Sequence, residues 1–271
     1  ENQYSEHNFD INDPIGKLLI AEKIKRNLEK LVLSSFIEYV KSTEIVRKSD
    51  IPKLSGDEID EIVIEILKEI QAGFVTRGHR LDLNKVMDFI INVLGYEILF
   101  SSESRKDSSE RIVLASVDFG KKQLVIDKKV REDSRFGFIL AHELGHICLH
   151  NKLAISQDSY ESFDDHKFNF GLGGTKFTND RQWIEWQANR FATSFLMPPS
   201  IFESVCRGVF QQFGRRIYEP LYVDDNRSSQ DDFHKIIKEL ARLFRTTSTS
   251  VIYTMGRYNL INDNSSMKHI S

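Results

Sequence analysis

Cysteine is nearly absent from this chain: Cys148 and Cys206 are the only two among 271 residues. Two thiols cannot build a disulfide framework, and such scarcity suits a reducing compartment. Long apolar runs are missing as well. No stretch approaches the roughly 20 residues needed to span a bilayer, so no membrane association is expected. Excess charge of either sign is lacking too, with 37 Lys and Arg against 40 Asp and Glu and a formal net charge of −3. A nucleic-acid face needs positive charge gathered locally, and this balance does not advertise one. The opening "ENQYSEHNFD" is polar and acidic, unlike a secretory leader. There is no internal repeat and no low-complexity block. The expectation is a cytoplasmic protein of one or two domains. Nineteen Phe residues give it material for a sizeable core.

Residues 1–14 are polar. From Ile15 to about Arg47, apolar residues recur at three and four, which predicts helix. "SDIPKLSG" breaks the pattern, and Ser55 with Glu58 forms an S-x-x-E capping box ahead of another helical run. "LNKVMDFIINVLG" predicts an amphipathic helix ended by Gly95, and "YEILFS" predicts a strand. Residues 101–111 read as a polar loop. "IVLASVDFGKKQLVID" predicts a β-hairpin turning at Asp118–Lys122. A helix follows from Phe136 to about His150. Residues 151–181 lack periodicity, and a loop so long is usually functional. "RQWIEWQANRFATSFLMPP" predicts a helix stopped by Pro198 and Pro199. The next 21 residues, "SIFESVCRGVFQQFGRRIYEP", read as helical and "LYVDDNRSS" as a loop. Two helices close the chain, Ser229–Arg245 and about Thr249–Tyr258.

The chemistry concentrates in "RFGFILAHELGHICLHN", where His142-Glu143-Leu144-Gly145-His146 is an H-E-x-x-H motif. Residues four apart share one helix face, so both imidazoles can reach one metal ion. Zinc suits neutral imidazole, and three protein ligands leave room for a water whose proton Glu143 can take as general base. Two histidines and a glutamate on an apolar helix would be costly without partners. His150 lies eight residues past His142, about 12 Å along a helix axis. It cannot share the ion with His142, and reads as a helix-end residue favoured by the dipole. Cys148 and the Phe and Trp residues near Glu185 read as core.

A third ligand is required. The metzincin extension needs glycine and histidine where this chain has Leu149 and Lys152. A carboxylate from a later helix remains. Glu185 is the best candidate, since an acid in the apolar "WIEWQANRFATSFLM" needs a reason to be there, and Asn189 one turn on could hydrogen-bond a ligating histidine. Asp164, Asp165 and His166 are rivals from the preceding loop. Tyr160, His166 and Arg190 are candidate oxyanion donors. The strand at about Gln123–Ile126, or its hairpin partner, could pair with an extended substrate.

Together, "RFGFILAHELGHICLH" and "EWQANRFATSFLMPP" resemble the ImmA/IrrE family of zinc-dependent metallopeptidase-like proteins. The shared pattern is AHELGH, then E-x-x-A-N-x-F-A and L-M-P, in that order. The resemblance covers roughly Leu83–Ile261. It implies an α+β fold, mainly helical, with a small β-sheet packed on the HExxH helix of a gluzincin-like core. It implies zinc ligands His142, His146 and Glu185, with Glu143 as the catalytic acid/base. It also implies a substrate: a transcriptional repressor with a helix-turn-helix domain, cleaved at one site to relieve repression.

The expected organisation is an N-terminal helical segment (1–75), a metallopeptidase core (76–203) and a C-terminal helical region (204–271). That last region has a helix-turn-helix-like pair joined by "TTSTS". Its second helix offers little beyond Tyr253 and Arg257 for DNA, where a recognition helix usually carries several contacts. The alternative reading is a DNA- or protein-binding regulator with a zinc site and no proteolytic turnover.

Overall fold

The computed structural model describes residues 34, 35, 37, 38, 40, 53–77, 81–106, 110, 112–151 and 180–266. The chain divides into two compact units, Glu1–Ser42 and Thr43–Ser271. In the first, the described residues are helical and Val40 is buried. The loop expected at 151–181 lies almost wholly outside the described residues, as do Tyr160, Asp164, Asp165 and His166.

The second unit is mainly helical with small sheets. Helix α1 (Gly56–Arg77) starts at the expected capping box: the Ser55 N–H donates to Glu58 Oε2 at 2.7 Å, and the Glu58 N–H to Ser55 Oγ at 3.3 Å. It kinks at Gln71, whose φ and ψ are −155° and 79°. The stretch expected as one helix up to Gly95 is two pieces. Helix α2 (Leu83–Asp88) runs into a wider π turn (Phe89–Val93), and Gly95 closes it at φ +75°. That left-handed conformation suits a residue without Cβ.

A three-stranded sheet follows in the order β1 (Glu97–Ser101), β5 (Gln123–Asp127), β4 (Ala115–Asp118). The expected hairpin is β4 and β5, antiparallel, with Asp118 opposite Gln123. Asp118 Oδ1 accepts from the Lys121 N–H at 2.9 Å, and Lys122 turns the chain at φ 51°. Strand β1 lies parallel to β5, with Leu99 opposite Val125. Strand β5 is thus central, with both edges taken by neighbours, and cannot pair with a substrate. Among the described residues, β4 is an edge strand. The supposed loop 101–111 contains β2 (Arg105–Lys106), which pairs with β3 (Ile112–Val113). "LYV" is likewise no loop: β6 (Leu221–Val223) pairs in parallel with β7 (Ile261–Asp263). Both strands of that pair are three residues long and far apart in the chain, so neither carries a legible period.

Helix α3 (Phe136–His150) runs beneath β4 and is buried everywhere except Leu149. Its apolar residues spread round the whole helix, which suits a buried element, and the polar residues among them are the histidines and Glu143. Helix α4 (Asp180–Leu196) packs against α3 on one side and α1 on another. It ends before Pro198, and Pro199 opens α5 (Pro199–Gln212) at a position where a missing N–H costs nothing. Gly214 at φ +67° ends that element, earlier than the sequence pattern implied. Helix α6 (Arg227–Phe244) buries Phe233, Ile236, Ile237 and Leu240, a one-sided stripe at helical spacing. Arg245 in the left-handed region and the Thr247 cap then lead into α7 (Ser248–Arg257). Among the described residues, no helix is long and apolar enough to cross a membrane.

A buried polar cluster ties α1 and α7 to α4. Arg190 grips Asp60 through Nη2–Oδ2 at 2.8 Å and Nε–Oδ1 at 3.2 Å. Ser194 Oγ also donates to Asp60. Arg257 donates to Ser194 Oγ at 3.2 Å and lies 3.8 Å from Asp60. Burial and the neighbouring Arg190 push the Arg257 guanidinium down to about 10. One carboxylate therefore faces two largely buried guanidiniums. Asp60→Ala should destabilise folding by about 3 kcal/mol or more, because it strands those charges. Chemical denaturation measures this; a variant as stable as the wild type contradicts the assignment.

Candidate metal centre

His142 and His146 project from the same face of α3, one turn apart, and α4 brings Glu185 against them. Close approach of the helices depends on Gly145. A Cβ there would lie 3.1 Å from the Phe191 Cβ and 3.2 Å from its ring, tighter than such contacts normally sit. His142 Nε2 is 3.0 Å from His146 Nε2 and 3.4 Å from Glu185 Oε2, and His146 Nε2 is 3.9 Å from Glu185 Oε1. A tetrahedral ion with donors at about 2.1 Å spaces those donors about 3.4 Å apart. The three separations bracket that value, so the residues present fit one small divalent cation, and the two-imidazole, one-carboxylate donor set suits zinc. The position of Glu185 fits an acid that is not there by accident: it is the residue that closes the triangle.

The surroundings orient the donors. His142 Nδ1 lies 2.8 Å from Asn189 Oδ1. An amide oxygen only accepts, so the ring proton sits on Nδ1 and Nε2 keeps its lone pair for a cation. The expected role of Asn189 is thus matched in geometry. Burial draws the His142 ring down, but the Glu185 hydrogen bond and charge outweigh it, and the ring ends above its ordinary value. His146 is held well below its own by burial and by the rings on either side.

Glu143 is buried beside the triangle, and its Oε2 has no hydrogen-bond partner among the described residues. Burial raises its carboxyl to about 7; nearby His142 opposes the rise and Glu185 adds to it. A lone carboxyl oxygen with that affinity for protons is suited to exchange one near neutral pH.

Three sequence expectations change. Arg190 is committed to Asp60 and is not an oxyanion donor. His150 is the last residue of α3, as expected, but more than the helix dipole holds it: it is wholly buried, with Nδ1 3.0 Å from His146 Nδ1 and Nε2 3.1 Å from Gln187 Oε1. The Gln187 contact cannot be read from local pattern, because Gln187 lies 37 residues on. Trp183 and Trp186 are half-buried and stack on each other, with centroids 5.0 Å apart, rather than filling the core. Cys148 is buried as expected, and burial pushes its thiol up.

Replacing His142, His146 or Glu185 by Ala should each reduce bound metal from about one equivalent to a small fraction, since two remaining donors no longer enclose an ion. Metal analysis after dialysis measures this. Full occupancy in Glu185→Ala contradicts the triangle.

Comparison with known proteins adds to this geometry. Residues 92–207 match the Peptidase_M78 family model, described as the IrrE N-terminal-like domain. That span contains the whole of α3, α4 and the sheet between β1 and β5. No curated protein matches the chain. Sequence pattern, fold and donor geometry point the same way: residues 92–207 are similar to the IrrE N-terminal-like domain of the Peptidase_M78 family.

Proposed function

We propose that the protein is a zinc-dependent, site-specific endopeptidase of the cytoplasm that cleaves a helix-turn-helix transcriptional repressor. The observation that carries the catalytic part is the buried Glu143 oxygen, unpartnered among the described residues, beside His142, His146 and Glu185. A closed structural zinc site has four protein ligands and no use for such a base. The repressor as substrate rests on the family resemblance of the AHELGH and E-x-x-A-N blocks.

The ion held by these three residues supplies Lewis acidity, polarising the scissile carbonyl and making a water easier to deprotonate. Glu143 takes the proton of the attacking water. It then returns that proton to the amine as the peptide bond breaks. Asn189 keeps the His142 lone pair aimed at the donor triangle throughout. An extended substrate segment pairs with the open side of β4, the edge strand that packs on α3.

Readout of DNA by the C-terminal helices has less support. Helix α7 buries Ser250, Val251, Tyr253, Thr254 and Met255, and Arg257 faces Ser194 and the Tyr258 ring. Ser248 and Thr249 are its exposed residues, too little for a recognition helix.

Glu143→Gln should keep its metal and cut at least about 100-fold more slowly, the usual contribution of a general base. Mapping new protein N-termini by mass spectrometry, in cells making the wild type or this variant, measures cleavage. Fragments of a helix-turn-helix repressor are expected with the wild type alone. Equal fragments with both proteins contradict the base, and no fragment with either contradicts the peptidase reading.

A further inference from the structure

We propose that Gln187 and His150 form a relay that fixes the tautomer of His146 and thereby sets how tightly the site holds its metal. This rests on the reading that His142, His146 and Glu185 hold a divalent ion. Neither relay residue reaches that ion. His150 stands one helical turn beyond His146, on the far side of its ring.

The argument follows one proton at a time. Gln187 Oε1 lies 3.1 Å from His150 Nε2. A carboxamide oxygen has no hydrogen to give, so His150 Nε2 carries the proton. A neutral imidazole carries only one, and His150 is wholly buried with this single oxygen acceptor among the described residues, so its Nδ1 is a bare lone pair. That lone pair faces His146 Nδ1 at 3.0 Å. Two bare nitrogens at that distance repel, so the proton between them belongs to His146 Nδ1. His146 Nε2 is then the lone pair, and it points toward His142 Nε2, 3.0 Å away.

The same outcome is reached on the other ring in one step, where Asn189 Oδ1 holds the Nδ1 proton of His142 at 2.8 Å. Both Nε2 atoms are thus turned toward the same point, where only a cation or a shared proton can relieve them. Helix α4 supplies all of this: Glu185 as the acid, Asn189 as the direct acceptor, and Gln187 as the acceptor acting through His150. The relay also explains why a third histidine follows His146 at the same spacing. Acceptors behind a ligating imidazole raise its basicity and hold its plane, and removing one typically weakens metal binding about 10- to 100-fold. Hydrogen bonds in series polarise one another, so the more distant Gln187 still acts on His146.

His150 and Gln187 act as positioning residues, and the test must separate that from mere filling of space. Zinc affinity is measured by chelator competition on the full chain. Gln187→Met keeps the volume and loses the acceptor, and should weaken zinc about 10- to 100-fold. Gln187→Glu restores an acceptor and should stay close to the wild type. If the two residues only fill space, the Met variant should bind zinc as the wild type does, and equal affinity there overturns the proposal.

A second measurement needs no variant. The imidazole 15N spectrum of the metal-free wild type should show His146 protonated at Nδ1 and bare at Nε2; a proton on Nε2 instead overturns the relay. It is independent of activity and of zinc. A wild type that takes up no zinc overturns the metal reading and the affinity half of this proposal, while the ring spectrum still decides the tautomer.

Discussion

Two imidazole Nε2 atoms facing each other at 3.0 Å on buried rings, with a carboxylate beside them, are the interaction on which this structure turns. With both Nδ1 atoms protonated, the two bare lone pairs would repel, and a positive charge between them relieves the repulsion, whether a proton drawn in by Glu185 or a metal ion. Everything nearby serves to keep the donors in that arrangement. Helix α3 is buried between the sheet and α4, and the absence of a side chain at Gly145 lets Phe191 close against it. Glu185 then arrives within 3.4 Å of His142.

The scaffold is rigid where the site requires it. Helix α4 is held to α1 through the Arg190–Asp60 pair and to α7 through Ser194 and Arg257. A carboxylate facing two guanidiniums deep in the fold is a costly device unless its geometry is good, and the bidentate contact with Arg190 supplies that geometry. Arg190 lies on the same helix as Glu185, Gln187 and Asn189, so the acid and both acceptors are anchored by one element.

Much of the centre was legible in the sequence. The H-E-x-x-H spacing places two imidazoles on one helix face, and an acid inside an apolar helical pattern is conspicuous by its cost. The capping box at Ser55 and Glu58, the β4–β5 turn and the stop at Gly95 are local, so short-range chemistry specifies them. What the pattern could not reveal is pairing between distant segments. Arg190 looked like a free cation near the site because Asp60 is 130 residues away. His150 does end α3, but its hydrogen bond to Gln187 stayed hidden because that partner is 37 residues away. Strands β6 and β7 have three residues each, too few for a period, and β5 became central only when β1 joined it in parallel.

The same contrast separates mechanism from specificity. Helix geometry states where a proton can move, and the family pattern states the class of reaction. The chemistry of the metal itself tests both most directly. X-ray absorption at the zinc edge, on the purified chain loaded with one equivalent, reads the donors around the ion. The account predicts two imidazole nitrogens and carboxylate oxygen at about 2.0 to 2.2 Å, with a further light-atom donor. A sulfur donor, a single imidazole or no bound zinc would contradict it.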